Sequence, residues 1–138
     1  MARRLIIAFA AGFVATLVFH QAVIALLHNF GYIPRGAWAM QPVPPFGVPS
    51  VISLSFWGGI WGMIMMPLIE RRRGSAFWIA AILFGAIFPT LVAWLVVAPL
   101  KHMPIAGGWN PKTMAIGPIV NGAWGLGTAL IYRVFVPR

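Results

Sequence analysis

Four stretches of this chain run predominantly apolar for about 20 residues or more, with Arg133 near the end of the fourth as their one charge; that is the length a helix needs to cross a hydrocarbon layer of roughly 30 Å. They are about Leu5–Leu27, Pro49–Ile69, Ser75–Leu100 and Thr113–Val134. In lipid every backbone N–H and C=O must be bonded within the protein, so apolar runs of this length are helices. A soluble fold is excluded by composition. Apolar residues make up 61% of the 138 and charged residues 8%, against about 25% charged in a soluble domain. The predicted fold class is all-α: a polytopic membrane protein of one membrane domain, 1–138. Its outer loops are 29–48 and 101–112, and its inner loop is 70–74.

The opening Met-Ala-Arg-Arg followed by Leu5–His28 resembles a signal peptide. The apolar run exceeds a signal core of about 7–15 residues and no small-x-small site closes it, so it reads as a retained first span. A formal charge of +9 does not indicate nucleic acid, because the basic residues flank the apolar runs. One side holds Arg3, Arg4, Arg71, Arg72, Arg73, Arg133 and Arg138; the other holds Arg35, Lys101 and Lys112. The excess of basic residues marks the cytoplasmic side. Both termini are therefore expected in the cytoplasm, in a bacterial inner membrane. Tyr32, Trp38, Trp109, Trp78 and Tyr132 fall near span ends, where amphipathic rings settle. The first outer loop, with Pro34, Pro42, Pro44, Pro45 and Pro49, is too proline-rich for a helix and is expected to lie on the membrane face or fold back over the helices.

The two halves are alike. Gly12, Thr16-Leu17-Val18, Val23, Leu26 and His28 match Gly85, Thr90-Leu91-Val92, Val97, Leu100 and His102, with Pro89 as an extra residue. Gly59-Ile60-Trp61-Gly62 matches Gly122-Ala123-Trp124-Gly125. The pattern predicts two similar hairpins in a pseudo-two-fold four-helix bundle, related by an axis along the membrane normal. Helices in lipid associate through close packing of small residues. Gly12, Gly58, Gly62, Gly85, Gly117 and Gly125 are the candidate packing positions. Each helix also shows a four-residue stripe: Ala8-Gly12-Thr16-His20 on the first and Ala81-Gly85-Pro89-Ala93 on the third. Pro89 and Pro118 are expected to kink their helices.

Few polar groups fall inside the spans, and no Asp, Glu, Lys or Arg lies deep in any of them. His20 is the one titratable side chain in mid-membrane. An ionisable group there is a functional candidate by default: a haem or pigment ligand, a quinone donor or a proton relay. Its structural alternative is a neutral ring bonded to Asn121, Thr90 or a carbonyl across the bundle. The candidate ligand-binding set is His20, Gln21, Thr90, Trp94 and Asn121. His28 and His102 sit at matching outer ends; two His on paired helices suit a haem iron, yet a solvated role is ordinary there. Trp57, Trp61, Trp94 and Trp124 suit either an aromatic pocket or packing. Arg71, Arg72 and Arg73 after Glu70 read as anchors for anionic lipid headgroups. No catalytic residue and no metal site emerge, and without Cys there is neither disulfide nor thiolate ligand. The cofactor stays unknown.

Phe19-His20-Gln21, Pro44-Pro45-Phe46-Gly47-Val48-Pro49 and Phe56-Trp57-Gly58-Gly59-Ile60-Trp61-Gly62 together resemble a class of short uncharacterised bacterial membrane proteins. The resemblance covers most of the chain and implies an inner-membrane location but no activity. The expectation for function is a non-enzymatic accessory or stabilising subunit of a larger membrane complex, with lipids and other membrane subunits, or further copies of itself, as partners. The alternatives are a small oligomeric transporter or channel, and a haem, quinone or pigment binder using His20.

Overall fold

A computed structural model describes all 138 residues. It contains four helices long and apolar enough to cross a membrane: α1 (Ala2–Asn29), α2 (Ser50–Ile69), α3 (Ser75–Leu100) and α4 (Pro111–Phe135). At 1.5 Å per residue, α2 is about 30 Å long and α1 about 40 Å, so each matches or exceeds the hydrocarbon thickness. α1 and α4 run past their apolar runs at both ends. At the start of α4 the Asn110 Oδ1 accepts the Lys112 N–H at 3.0 Å, and Pro111 occupies the first turn, where its missing N–H costs nothing. Only 30 of the 138 residues are buried, and the exposed surface of the helices is Leu, Ile, Val and Phe. Water would not tolerate such a surface; lipid does.

α1 packs along α2, α3 packs along α4, and α1 also packs along α4, whereas α2 and α3 meet over a short stretch. Glycine sets these approaches. A Cβ at Gly12 would run into the Gly58 carbonyl oxygen, and one at Gly62 into that of Ala8. In the other hairpin a Cβ at Gly85 would strike the Asn121 carbonyl and one at Gly125 the Ala81 carbonyl. Backbones this close make dense van der Waals contact, which is what drives association where tails are as apolar as the helices. At Gly58 an added Cβ would collide with Thr16 Oγ1, and at Gly117 it would crowd Thr90. The main core lies toward the inner end, around Ala8, Ala15, Met65, Met66, Phe77, Ala81, Trp124 and Tyr132.

The buried stripe of α1 departs from four-residue spacing. Ala8, Gly12 and Thr16 are buried, but the next buried residue is Gln21, with His20 only half covered. At Thr16–His20 the helix widens: the Gln21 N–H reaches back five residues to the Thr16 carbonyl. That π-turn rotates the helix face by one residue. On α3 the buried residues step from Ala81 and Gly85 to Thr90, across Pro89, and Ala93 is exposed. Pro89 cannot donate to the carbonyl four residues back, so the face shifts here too. A second wide turn covers Ala93–Val97, just before Pro99. Pro67, Pro89 and Pro118 all lie within continuous helix.

The first outer loop folds back. A two-residue antiparallel ribbon pairs β1 (Pro42–Val43) with β2 (Val48–Pro49) around a cis Pro44–Pro45 bond, the one departure from all-helical structure. The loop then lies against the start of α2, with Ser50 N–H donating to the Gln41 carbonyl and Val51 N–H to the Ala39 carbonyl, each at 2.9 Å.

Since the close approaches depend on missing side chains, Gly125→Val should separate α3 from α4. Overpacking of this kind costs about 1–3 kcal/mol. The thermal midpoint of the detergent-solubilised protein should fall for Gly125→Val and stay put for Gly36→Ala, where an added methyl meets only ordinary contact.

Candidate functional site

The wide turn of α1 has a chemical consequence. In a regular helix the Gln21 N–H would bond the Leu17 carbonyl; here it bonds that of Thr16. The Leu17 carbonyl instead accepts the Trp38 indole N–H at 2.8 Å. Trp38 is fixed a second time, its backbone N–H donating to Gln21 Oε1 at 2.7 Å. Its φ of +52° lies in the left-handed region, which costs a non-glycine residue on the order of 1 kcal/mol. The two bonds offset that strain and clamp the outer loop to α1.

The clamp also decides the state of His20. A backbone N–H only donates, so the Gln21 atom facing Trp38 is the oxygen and the amide N–H group faces inward. Gln21 Nε2 therefore donates to His20 Nδ1, at 3.1 Å. A ring that accepts at Nδ1 is neutral and carries its proton on Nε2. Asn121 lies in hydrogen-bonding reach of the same ring, and its Nδ2 donates to Thr90 Oγ1 at 3.0 Å. A polar chain thus runs from the outer loop through α1 and α4 to α3. Trp94 lies beside it, its indole nitrogen close to Gly117. All five residues of the predicted set, His20, Gln21, Thr90, Trp94 and Asn121, fall in one cluster in the outer half of the bundle.

The other candidates lie apart. His28 Nδ1–H donates to the Ile33 carbonyl at 3.1 Å, closing the turn after α1. His102 is exposed, in a turn of its own with φ +57°. Trp57 points outward, Trp61 packs against the Phe84 ring, and buried Trp124 donates its indole N–H to the Gly12 carbonyl at 3.1 Å. Ser55, Thr16 and Thr128 each donate to a carbonyl of the preceding turn. Every buried side-chain polar atom has a partner, and no group of three or more His, Asp or Glu converges.

The inner end holds a second polar centre that the charge pattern does not reveal. Glu70, the chain's one acidic residue, joins three helices. Its Oε1 pairs with Arg4 of α1 at 3.2 Å, its Oε2 accepts the Tyr132 hydroxyl of α4 at 2.6 Å, and its carbonyl accepts Arg133 at 2.9 Å. The Arg133 guanidinium also lies 3.9 Å from the centre of the Phe77 ring on α3. Partial burial pushes the Glu70 carboxyl up, but the Tyr132 hydrogen bond and the Arg4 guanidinium outweigh it and hold the group below its ordinary value of 4.5. A lone carboxylate among ten Lys and Arg was the available sequence signal. Arg71, Arg72 and Arg73 beside it are exposed.

The fold and its two polar centres define a multi-pass, all-helical membrane bundle. No protein-family model, no curated protein and no solved structure matches the chain.

Two measurements check these centres. Glu70→Gln should lower stability at neutral pH by about 1.5–3 kcal/mol, the scale of hydrogen bonds to a charged group. Because the folded carboxyl titrates below its unfolded value, its contribution is complete above about pH 4.5 and disappears as pH falls through the folded value. The difference in thermal midpoint between wild type and Glu70→Gln should therefore shrink on acidification from pH 5 downward. At the outer end, Gln21→Leu should release the loop, seen as faster protease cleavage between Gly31 and Val48 with the helices intact by circular dichroism.

Proposed function

We propose that this protein is a non-enzymatic accessory subunit that stabilises a larger complex in a bacterial inner membrane. The observation that carries this reading is the clamped outer loop. Gln21 and Leu17 hold Trp38 in place, and the loop exposes Phe30, Met40 and Phe46, the last 88% exposed, while Trp109 is exposed on the second loop. Exposed aromatic and Met side chains on a preorganised surface suit a protein partner. The polar cluster around His20 supports the same reading, since its groups bond to one another and to the first outer loop. Gln21 braces α1 to the loop and holds the His20 ring, and Asn121 joins α4 to α3 through Thr90.

Orientation follows from charge. The side with Arg3, Arg4, Arg71, Arg72, Arg73, Arg133 and Arg138 is the cytoplasmic one, with both termini inside. The pairing of Arg4 with Glu70, and of Arg138 Nη1–H with the Arg71 carbonyl at 2.9 Å, supports a common side for the termini and the inner loop. The two hairpins read as repeats about a pseudo-two-fold axis. Support comes from matching contacts: Gly12 on the Gly58 carbonyl beside Gly85 on that of Asn121, and Gly62 on Ala8 beside Gly125 on Ala81. Each pair is related by the same 63- and 73-residue offsets (121 − 58 and 125 − 62; 85 − 12 and 81 − 8).

Purification from its native membrane in mild detergent, followed by mass spectrometry, tests the proposal. The expected result is one companion set of membrane subunits at fixed stoichiometry, lost with Phe46→Ser and Trp109→Ser. A lone oligomer without companions would overturn it and favour transport by the chain itself.

A further inference from the structure

Ten Lys and Arg face a single acidic side chain, and that carboxylate is already engaged on both oxygens, by Arg4 and Tyr132. Four other arginines converge without an acidic partner. Arg72, Arg73, Arg133 and Arg138 line a cleft of about 560 Å³ at the inner end, where α3 begins beside the end of α4; Phe77 and Trp78 form its apolar wall. Two of the four are held in place from behind. Arg133 is fixed by the Glu70 carbonyl and the Phe77 ring. Arg138 Nη1–H donates to the carbonyls of Arg71 and Arg72, at 2.9 and 3.3 Å. The chain's one ion pair, Arg4–Glu70, lies outside this cleft. A cluster of guanidinium groups, two of them held in place and with no acidic side chain among them, suits an external anion, and the planar fork of Arg matches phosphate oxygens.

We propose that this cleft is a discrete site for the headgroup of a phosphate-bearing anionic lipid. Its position favours a lipid over a soluble anion. Trp78 lies three residues into α3, at the level where indole rings mark the membrane interface. The cleft's Phe–Trp wall continues into the apolar exterior of α3, so a headgroup among the arginines would have its acyl chains along that helix. This is more than the diffuse attraction of a basic loop, because Arg133 and Arg138 come from the far end of the chain and Arg71 does not line the site. The inference rests on the helices spanning a bilayer and is independent of the accessory-subunit reading.

The test is native mass spectrometry of the detergent-solubilised protein titrated with phosphatidylglycerol or phosphatidylcholine. The expected result is a single phosphatidylglycerol adduct, favoured roughly tenfold or more over phosphatidylcholine, and weakened by a similar factor in R72Q/R73Q, since each basic residue near an anionic surface contributes substantially to attraction. The charge-matched control R3Q/R71Q should bind as wild type does. All these residues are exposed, so the variants leave the packing untouched. Equal adducts with both lipids, or equal loss in R3Q/R71Q, would overturn the site in favour of diffuse attraction. Displacement of the lipid by millimolar inorganic phosphate would overturn the lipid as its ligand. None of these outcomes depends on whether companion subunits copurify.

Discussion

Without water between the helices, burying apolar side chains yields no gain in this bundle, because the alternative neighbour is a lipid tail. Cohesion must come from contacts that lipid cannot match, and the backbone supplies them. Where Gly12 meets Gly58, Gly62 meets Ala8, Gly85 meets Asn121 and Gly125 meets Ala81, two helices approach with no Cβ between them. Dispersion grows with the number of atoms at contact distance, so two such contacts in each hairpin hold its helices more firmly than rows of Leu would. The remaining features depend on this closeness. Trp124 reaches the Gly12 carbonyl, and Asn121 reaches Thr90, only because the backbones lie so near.

Polar groups then add direction at the two ends. At the inner end Glu70 ties α1 to α4 and to its own loop. At the outer end the wide turn of α1 leaves the Leu17 carbonyl to Trp38 and turns Gln21, rather than His20, into the buried face. The same extra residue that breaks the four-residue stripe creates the attachment point for the loop. A helix irregularity in lipid is tolerated only where its freed backbone group finds another donor, and the Trp38 indole is that donor.

The four helices were legible because about 20 uncharged apolar residues admit one structure in a bilayer. The glycines were legible as packing positions because small residues recur every four places. His20, Gln21, Thr90, Trp94 and Asn121 could be grouped in advance because polar side chains are scarce inside the spans and seek one another. The wide turn at Thr16–His20 was not legible. It changes one hydrogen bond, and its stabilising partner, Trp38, is 21 residues from Leu17 in a loop whose path only tertiary structure sets. Glu70 was read as part of a basic anchor because its three arginine neighbours dominate the local charge. Its actual partners, Arg4, Tyr132 and Arg133, come from both ends of the chain, beyond the reach of any local pattern.

The two ends differ in what they leave unsatisfied, and the difference bears on how such a protein works. In the outer half the polar groups pair among themselves: Trp38 donates to Gln21, Gln21 to His20, and Asn121 to Thr90. What this end offers is therefore apolar surface, at Phe46 and Trp109. At the inner end one carboxylate serves Arg4 and Tyr132, and the arginines of the cleft keep their charge. What that end offers is charge without a partner. The two ends thus differ in chemistry: exposed apolar side chains such as Phe46 and Trp109 at one, and arginines without an acidic side chain among them at the other.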